Sequence, residues 1–346
     1  MQSIRACRGL WFCLALMASA ASLSAEKNSA VIKDISYRGA TTADRRTSLD
    51  LYLPPPSTVK PPLFIFVHGG FWLLSDDEYQ IGPSIAANLS RDGVAVALVR
   101  YRLAPAHRHP AQAEDVAAAV GYLIKHASQY GFDPKRVYLA GHSAGGHLAS
   151  LVALDRGYLN RQGLSPKALA GVISISGLYD LAPSWNVSDN QRQATEKNFG
   201  SDPKILRQAS PVHYVRADAP PFLIINAFQD FIGFPLDAHR FADALRSAGN
   251  KAVQQLMIKG TDHFTLVKLD DENNPVRRTL RGFMLDLKER LPLIRQMERR
   301  AIGEQAYQFP LLWWQRIVPH SSRLKGWKIG PSHYVNQDLR DVWLAQ

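Results

Sequence analysis

Short runs of consecutive apolar residues alternate along this chain with segments whose apolar residues recur at helical spacing. Strands that are apolar along their whole length are typical of a parallel sheet covered by helices on both faces. The sequence therefore predicts an α/β fold with a mostly parallel central sheet, whose ligands bind at the carboxyl ends of the strands. Edge strands are predicted between Val31 and Leu53, further strands at Leu63–Val67, Val94–Val99, Val137–Ala140, Gly171–Ile175, Phe222–Asn226 and Val253–Ile258, and helices from Ala111 to about Tyr130, at Gly146–Leu154 and at Pro235–Ala248.

Composition excludes several other classes of protein. The 346 residues are 46% hydrophobic and 10% aromatic, which is enough to fill a large core and excludes global disorder. No stretch reaches the roughly 18 apolar residues that a membrane-spanning helix requires, so we expect no integral span. The net charge of +11 would favour anionic partners, but no nucleic-acid-binding motif accompanies it, and we expect no nucleic-acid partner.

The first 25 residues have the pattern of an export signal. Arg5 and Arg8 precede an apolar run at Leu10–Met17, and small residues follow it. We therefore expect a secreted or periplasmic protein. Both cysteines, Cys7 and Cys13, lie inside this segment, so the mature chain is expected to have no disulfide and no cysteine metal site.

A candidate nucleophile stands between a predicted strand and a predicted helix. In Gly141-His142-Ser143-Ala144-Gly145, the two glycines remove side chains that would clash within a sharp turn. Such a turn lifts the Ser143 hydroxyl above the edge of the sheet and places the N-terminus of the following helix beneath it. The positive end of that helix suits a developing oxyanion.

Four segments together resemble the α/β-hydrolase superfamily, and within it the esterase and lipase group that includes hormone-sensitive-lipase-like esterases, feruloyl and acetyl esterases and kynurenine formamidase. They are HGGFW (68–72), YRLAP (101–105), GHSAGGHLA (141–149) and PPFLII (220–225). The resemblance spans most of the chain after the signal, and it implies an α/β-hydrolase fold and acyl transfer from a serine. The motifs are much less specific for the substrate.

A serine nucleophile of this kind needs a histidine as base and a carboxylate that orients it, and in this fold they follow the serine in the order acid, then histidine. Among the later histidines, His263 alone follows a predicted strand closely, whereas His239 falls inside a helix. Asp230 follows another strand by four residues, and the resemblance also places the family's acid there. Asp262 is an alternative acid, although a sequence neighbour rarely reaches the Nδ1 atom of the histidine. The predicted catalytic residues are Ser143, Asp230 and His263.

The resemblance also implies an oxyanion hole. HGGFW corresponds to the glycine loop after the third strand, whose backbone N–H groups hold the oxyanion together with the N–H of Ala144. Phe71 replaces the third glycine of the hormone-sensitive-lipase-like pattern and resembles the formamidase and feruloyl-esterase branches. Two pairs of residues in this loop are possible sources of the backbone N–H donors, Gly69 with Gly70 or Gly70 with Phe71.

The remaining assignments concern substrate contacts and the ends of the chain. Trp72, Trp185 and His142 are predicted substrate contacts, and for Phe71 and Trp72 ordinary core packing is an equal alternative. Residues 26–290 are predicted to form the catalytic domain, with a lid-like insertion at 178–221. Residues 291–346 form a basic extension with four of the seven tryptophans, for which docking on the core, a homodimer contact and surface binding all stay open.

We expect an exported serine hydrolase that cleaves carboxylic esters with short acyl groups, of acetyl or feruloyl type, on a small molecule or an acylated polysaccharide. No cofactor and no metal are expected. An arylformamidase-like amide hydrolase and a non-catalytic binding protein on the same scaffold are the alternatives. Because the base must be neutral to accept a proton, activity is expected to fall below about pH 6–7.

Overall fold

In the computed structural model, residues 29–39, 44–165, 167–181 and 188–285 are described, together with two short strands near the C-terminus. The chain divides into two units, Met1–Asp286 and Leu287–Gln346. The predicted signal at 1–25 and Trp185 lie outside the described residues, as does nearly all of the predicted extension. Within the described part of the chain, no helix is both long enough and apolar enough to cross a membrane.

The first unit is built on one eight-stranded sheet. Its strands run in the order β1-β2-β4-β3-β5-β6-β7-β8. β1 and β2 are antiparallel to their neighbours, and the strands from β4 to β8 in that order are parallel. The bounds are β1 Ala30–Ser36, β2 Ser48–Leu53, β3 Leu63–Val67, β4 Ala95–Val99, β5 Val137–His142, β6 Gly171–Ile175, β7 Phe222–Gln229 and β8 Val253–Asp262.

Ten α-helices are described around this sheet. They are α1 Asp76–Tyr79, α2 Gly82–Arg91, α3 Ala111–Lys125, α4 Ala127–Tyr130, α5 Ala144–Leu154, α6 Arg156–Asn160, α7 Asp189–Phe199, α8 Pro203–Ala209, α9 Phe234–Ser247 and α10 Pro275–Met284. The second unit contributes a described strand pair, in which β9 Leu324–Lys325 is antiparallel to β10 Trp343–Leu344.

The predicted α/β fold with a mostly parallel sheet is confirmed. Central strands such as β3 and β6 are buried at every residue, because helices cover both of their faces. The helix predicted from Ala111 to about Tyr130 is divided at His126 into α3 and α4. Where it is described, the predicted insertion at 178–221 contains helices α7 and α8.

The sheet also brings the sequence motifs to one edge. Each of the parallel strands β3, β5, β7 and β8 is followed directly by a segment that contains a predicted site residue. Because parallel strands end at the same edge of the sheet, these segments form neighbouring turns there.

Candidate active site

Ser143 occupies a strained turn between β5 and α5. Its backbone has φ 56° and ψ −121°, a left-handed φ that is unusual for a residue with a side chain and marks stored strain. A Cβ atom on Gly141 would fall within 3.0 Å of the Gly145 backbone, and one on Gly145 would meet the carbonyl of Val67. Both glycines are therefore needed for the close approach of the turn to the neighbouring strand.

Asp230 and His263 form a buried pair. Gln229 at the end of β7 pairs with Asp262 at the end of β8, so the register of these two strands places the next residues, Asp230 and His263, side by side. The Nδ1 atom of His263 lies 2.6 Å from Oδ1 of Asp230, and both side chains are almost completely buried. A carboxylate at this distance holds the imidazole in one orientation, with Nε2 directed away from the acid.

The Asp230 carboxylate accepts further hydrogen bonds. Oδ1 accepts from the backbone N–H of Phe231 at 2.9 Å, and Oδ2 accepts from the Ser176 hydroxyl at 2.5 Å and from the Asn226 amide at 3.3 Å. Burial alone would raise the pKa of Asp230, but the hydrogen bond and positive charge of His263, with the Ser176 and Phe231 donors, outweigh it and lower the pKa. Asp230 is therefore held as a carboxylate.

The histidine pair and the serine turn meet at the edge of the sheet. The ring of His263 lies 4.7 Å, between centroids, from the ring of His142, which directly precedes Ser143. Among the hydrogen bonds of the described residues there is none between Ser143 and His263, and in unliganded enzymes this bond is often long until substrate binds.

The loop after β3 carries the other candidate donors. Gly70, Phe71 and Trp72 all have left-handed φ angles, of 97°, 56° and 61°. Such a turn exposes successive backbone N–H groups instead of pairing them in the sheet. Among the described residues, none of the recorded hydrogen bonds uses the backbone N–H of Gly69, Gly70, Phe71 or Ala144.

Tyr79 is a site residue that sequence analysis missed. Its hydroxyl lies 2.5 Å from Nδ1 of His142, and its ring packs so closely over Gly69 that a Cβ there would collide with it. Burial first, and then the positive charge of His263, lower the pKa of His142 to about 3, so this imidazole stays neutral. The negative charge of Asp230 and the backbone of His263 act on this pKa in the opposite direction without cancelling the effect of burial. Among the described residues, Nε2 of His142 has no hydrogen-bond partner.

The predicted substrate contacts differ in how deeply they are buried and in whether the structure describes them. His142 is fully buried between Tyr79 and His263, whereas Phe71 is half-buried and stacks at 6.5 Å on Phe231. Trp185 lies in the segment 182–187, outside the described residues.

Trp72 packs in the core. Its indole is 1% exposed, its Nε1 donates to Nδ1 of His147 at 3.3 Å, and its ring makes an edge contact with Phe199 at 4.9 Å. This placement matches the core-packing alternative for Trp72 and not an open pocket wall.

Together these groups form a constellation suited to acyl transfer. It holds a hydroxyl at a helix N-terminus, an imidazole oriented by a carboxylate, and backbone N–H donors without recorded partners. Within the described residues, no group of three or more His, Cys, Asp or Glu side chains is placed to hold a metal ion.

Known proteins share this fold and parts of this sequence. Esterase LipC of Mycobacterium tuberculosis is 30% identical over 226 residues, which cover 62% of this chain and 56% of LipC. Kynurenine formamidase of Danio rerio is 33% identical over 229 residues, covering 65% of this chain and 73% of that protein. The chain spans about half the length of several curated relatives, LipC among them.

A solved structure supports the fold. The truncated form of a carbohydrate esterase from gut microbiota aligns with a TM-score of 0.63 at 21% identity, covering 75% of this chain and 97% of that one. The model of the family described as BD-FAE matches residues 49–244, which is more than half of the chain. The protein therefore belongs to the BD-FAE family, in the esterase group of the α/β-hydrolases.

Proposed function

We propose that this protein is a serine hydrolase that cleaves carboxylic esters through an acyl-enzyme. The observation that carries the proposal is the buried His263–Asp230 pair, 2.6 Å apart, at the sheet edge where the strained turn presents Ser143. Membership in a family whose relatives include esterases supports the same reaction.

In the proposed mechanism, Ser143 Oγ attacks the acyl carbonyl while Nε2 of His263 takes the hydroxyl proton. Asp230 keeps the imidazole in the tautomer that has Nε2 free to accept and stabilises the imidazolium that forms. The N–H of Ala144 and two N–H groups of residues 69–71 bind the oxyanion. As the carbon–oxygen bond breaks, His263 returns the proton to the leaving oxygen. Water, activated by the same imidazole, then releases the acid.

The cellular site and the acyl group are finer parts of this proposal. The pattern of residues 1–25 supports export, to the periplasm or outside the cell. The half-buried side chain of Phe71, within the candidate oxyanion loop, supports an acyl group of acetyl or feruloyl type. A rate profile from acetyl to decanoyl esters that includes methyl ferulate tests this, since efficient decanoyl turnover would contradict it.

Ser143→Ala tests the reaction itself. We expect this variant to lose turnover of p-nitrophenyl acetate and labelling by a fluorophosphonate, while its thermal unfolding stays close to that of the wild type. A wild type that turns over no ester or anilide and resists the fluorophosphonate would instead indicate a non-catalytic binding protein on the same scaffold.

Amide hydrolysis is a second candidate, because the formamidase relative matches this chain over 73% of its own length. An aryl formamide and the corresponding aryl formate differ only in the atom that leaves. A kcat/KM for the formamide equal to or above that for the formate would favour the formamidase interpretation, and a value lower by at least a hundredfold would favour the esterase.

A further inference from the structure

Exposed apolar side chains surround the candidate base. Phe228, Ile232, Leu236 and Phe264 are 62%, 80%, 48% and 51% exposed, and we call them the apolar rim. Single exposed apolar residues are common on protein surfaces. These four, however, lie within six residues of Asp230 or directly beside His263 in the chain: Phe228 is near the end of β7, Ile232 is in the segment after it, Leu236 is in the first turn of α9, and Phe264 follows His263. The register of β7 and β8 makes the ends of these two strands neighbours.

Aromatic rings connect the apolar rim to the imidazole. Phe231 stacks on His263 with centroids 4.2 Å apart, and Phe264 meets the same imidazole edge-on at 5.2 Å. Phe231 and Phe264 are themselves 6.0 Å apart. Aromatic rings therefore lead from exposed Phe264 to the face of the candidate base.

The position of the base decides which part of an ester meets this surface. His263 uses Nδ1 for Asp230, so Nε2 must deliver the proton to the leaving oxygen from hydrogen-bonding distance, about 2.6–3.2 Å. The first atoms of the departing alcohol then lie within contact distance of the rings around the imidazole. The acyl group instead lies towards Ser143 and the candidate oxyanion loop.

The two acidic side chains beside the rim already accept several hydrogen bonds. Asp230 is bound as described above, and Oδ1 of Asp262 accepts from the N–H groups of Phe264 and Thr265 and from the Thr265 hydroxyl. Between residues 228 and 236, Gln229 is the remaining polar side chain. A sugar alcohol would bury several hydroxyls here with few partners, which is unfavourable, whereas an alkyl or aryl group gains from burial.

We propose that the apolar rim binds the alcohol portion of the substrate and that this alcohol is apolar, an alkyl or aryl group and not a sugar. This inference rests on the proposed ester hydrolysis, with His263 as the group that protonates the leaving oxygen. It assigns the specificity for the alcohol to residues beside the base.

Two series of esters test the proposal. Ethyl, butyl and hexyl acetate vary the alcohol at nearly constant leaving-group acidity, and ethyl acetate, butanoate and hexanoate vary the acyl group. Both series are assayed below the solubility limits, hexyl acetate is also assayed above its limit, and an acetylated sugar is used for comparison. We expect kcat/KM to rise at least tenfold from ethyl to hexyl acetate, and the acetylated sugar to react more slowly than hexyl acetate.

The double variant Ile232→Ser/Phe264→Ser should reduce the alcohol-series ratio at least fivefold and change the acyl-series ratio little. Both positions are exposed, so the variant should fold, which thermal unfolding checks. Val59→Ser is the matched control, because Val59 is 50% exposed on the loop before β3, and it should leave both ratios as in the wild type.

Three outcomes would overturn the proposal while leaving ester hydrolysis intact. The first is a kcat/KM that does not change along the alcohol series, together with a preference for the acetylated sugar. The second is a double variant that changes only the acyl-series ratio. The third is a rate increase that appears only above the solubility limit, which would indicate a lipid aggregate as the partner. Failure of the proposed function looks different, because the wild type would then hydrolyse none of these esters, or Ser143→Ala would hydrolyse them all.

Discussion

Replacing Asp230 by asparagine should abolish most of the activity, because the amide no longer holds the His263 imidazole in the tautomer that can accept a proton. The carboxylate of wild-type Asp230 can only accept hydrogen bonds, and its two oxygens face separate sets of donors. Oδ1 faces His263 and the N–H of Phe231, while Oδ2 faces the Ser176 hydroxyl, the Asn226 amide and the N–H of Ala227. An asparagine must place its NH₂ group against one of these sets.

Either orientation of the amide is costly. With NH₂ at the Oδ1 position, Nδ1 of His263 must become the acceptor, so Nε2 carries the proton and cannot take one from Ser143. With NH₂ at the Oδ2 position, it faces the N–H of Ala227, and the charge that stabilises the imidazolium is lost in both cases. We expect kcat to fall about 10³–10⁴-fold, equivalent to about 4–5 kcal/mol, and unfolding to become easier by about 1–3 kcal/mol.

Steady-state hydrolysis of p-nitrophenyl acetate measures the loss, with thermal unfolding to confirm that the variant is folded. Asp262→Asn is the matched control. Asp262 is exposed, and its Oδ1 only caps the following turn at Phe264 and Thr265, which an amide oxygen can also do, so this variant should keep activity within about threefold. If Asp262→Asn lost more activity than Asp230→Asn, the assignment of the acid would be wrong.

Three further changes separate positioning, titration and stability. Tyr79→Phe should lower kcat about tenfold with little change in KM, because the hydroxyl that contacts His142 is lost. The control, Tyr122→Phe, removes the hydroxyl contact between Tyr122 and Tyr130 and should leave kcat and KM unchanged. Equal kinetics in the two variants would refute this role of Tyr79. Burial raises the pKa of Asp237 to about 7, so the folded state keeps a proton that the unfolded state loses near pH 4, and stability should decline as the pH rises through this window. Asp237→Asn should therefore raise the unfolding temperature at pH 8 but not at pH 5, and an equal shift at both pH values would contradict this. Arg277→Met leaves the buried carboxylate of Asp92 with Arg281, at 3.8 Å, as its remaining basic partner among the described residues. Chemical denaturation should therefore show that the free energy of unfolding falls by about 3 kcal/mol or more, while kcat is retained.

Strands that consist of one continuous apolar run are the elements that the sequence predicts best. The bounds of β3 and β6 agree with the predicted strands, because both are fully buried and every residue in them is apolar or small. β8 continues four residues past its predicted end, through the polar segment to Asp262. As an edge strand it pairs with β7 alone and leaves much of its surface exposed, so the apolar pattern stops before the hydrogen bonding does.

Short helices that depend on packing were harder to predict. α2 has Ile85 and Leu89 as its large buried apolar side chains, on a segment that begins with Gly82 and Pro83. Its helical structure is supported by packing on β4, which a single sequence does not display. α7 is polar along most of its length, and the sequence predicts only a lid-like insertion around it, although Phe199 at its end contacts Trp72 in the core.

Within the candidate site, too, positions that follow buried strands are easier to predict than positions on short polar segments. The positions of Ser143, Asp230 and His263 at one edge of the sheet could be predicted, because each follows a parallel strand and parallel strands end at the same edge. Tyr79 could not, because it ends a four-residue polar helix, Asp76–Tyr79, and only the folded loop places its hydroxyl on His142.

The burial of His142 matters because it lies beside the candidate base, His263. Its ring lies 4.7 Å from that of His263, and two positive imidazoles at that separation would repel each other by about 3–4 kcal/mol at an effective dielectric constant near 20. That repulsion would directly oppose the proposed proton transfer from Ser143 to His263. Because burial lowers the pKa of His142 to about 3, the neighbour stays uncharged when His263 takes its proton. The burial of His142 against Tyr79 and the turn of Ser143 is therefore compatible with the proposed mechanism, because it keeps this imidazole neutral.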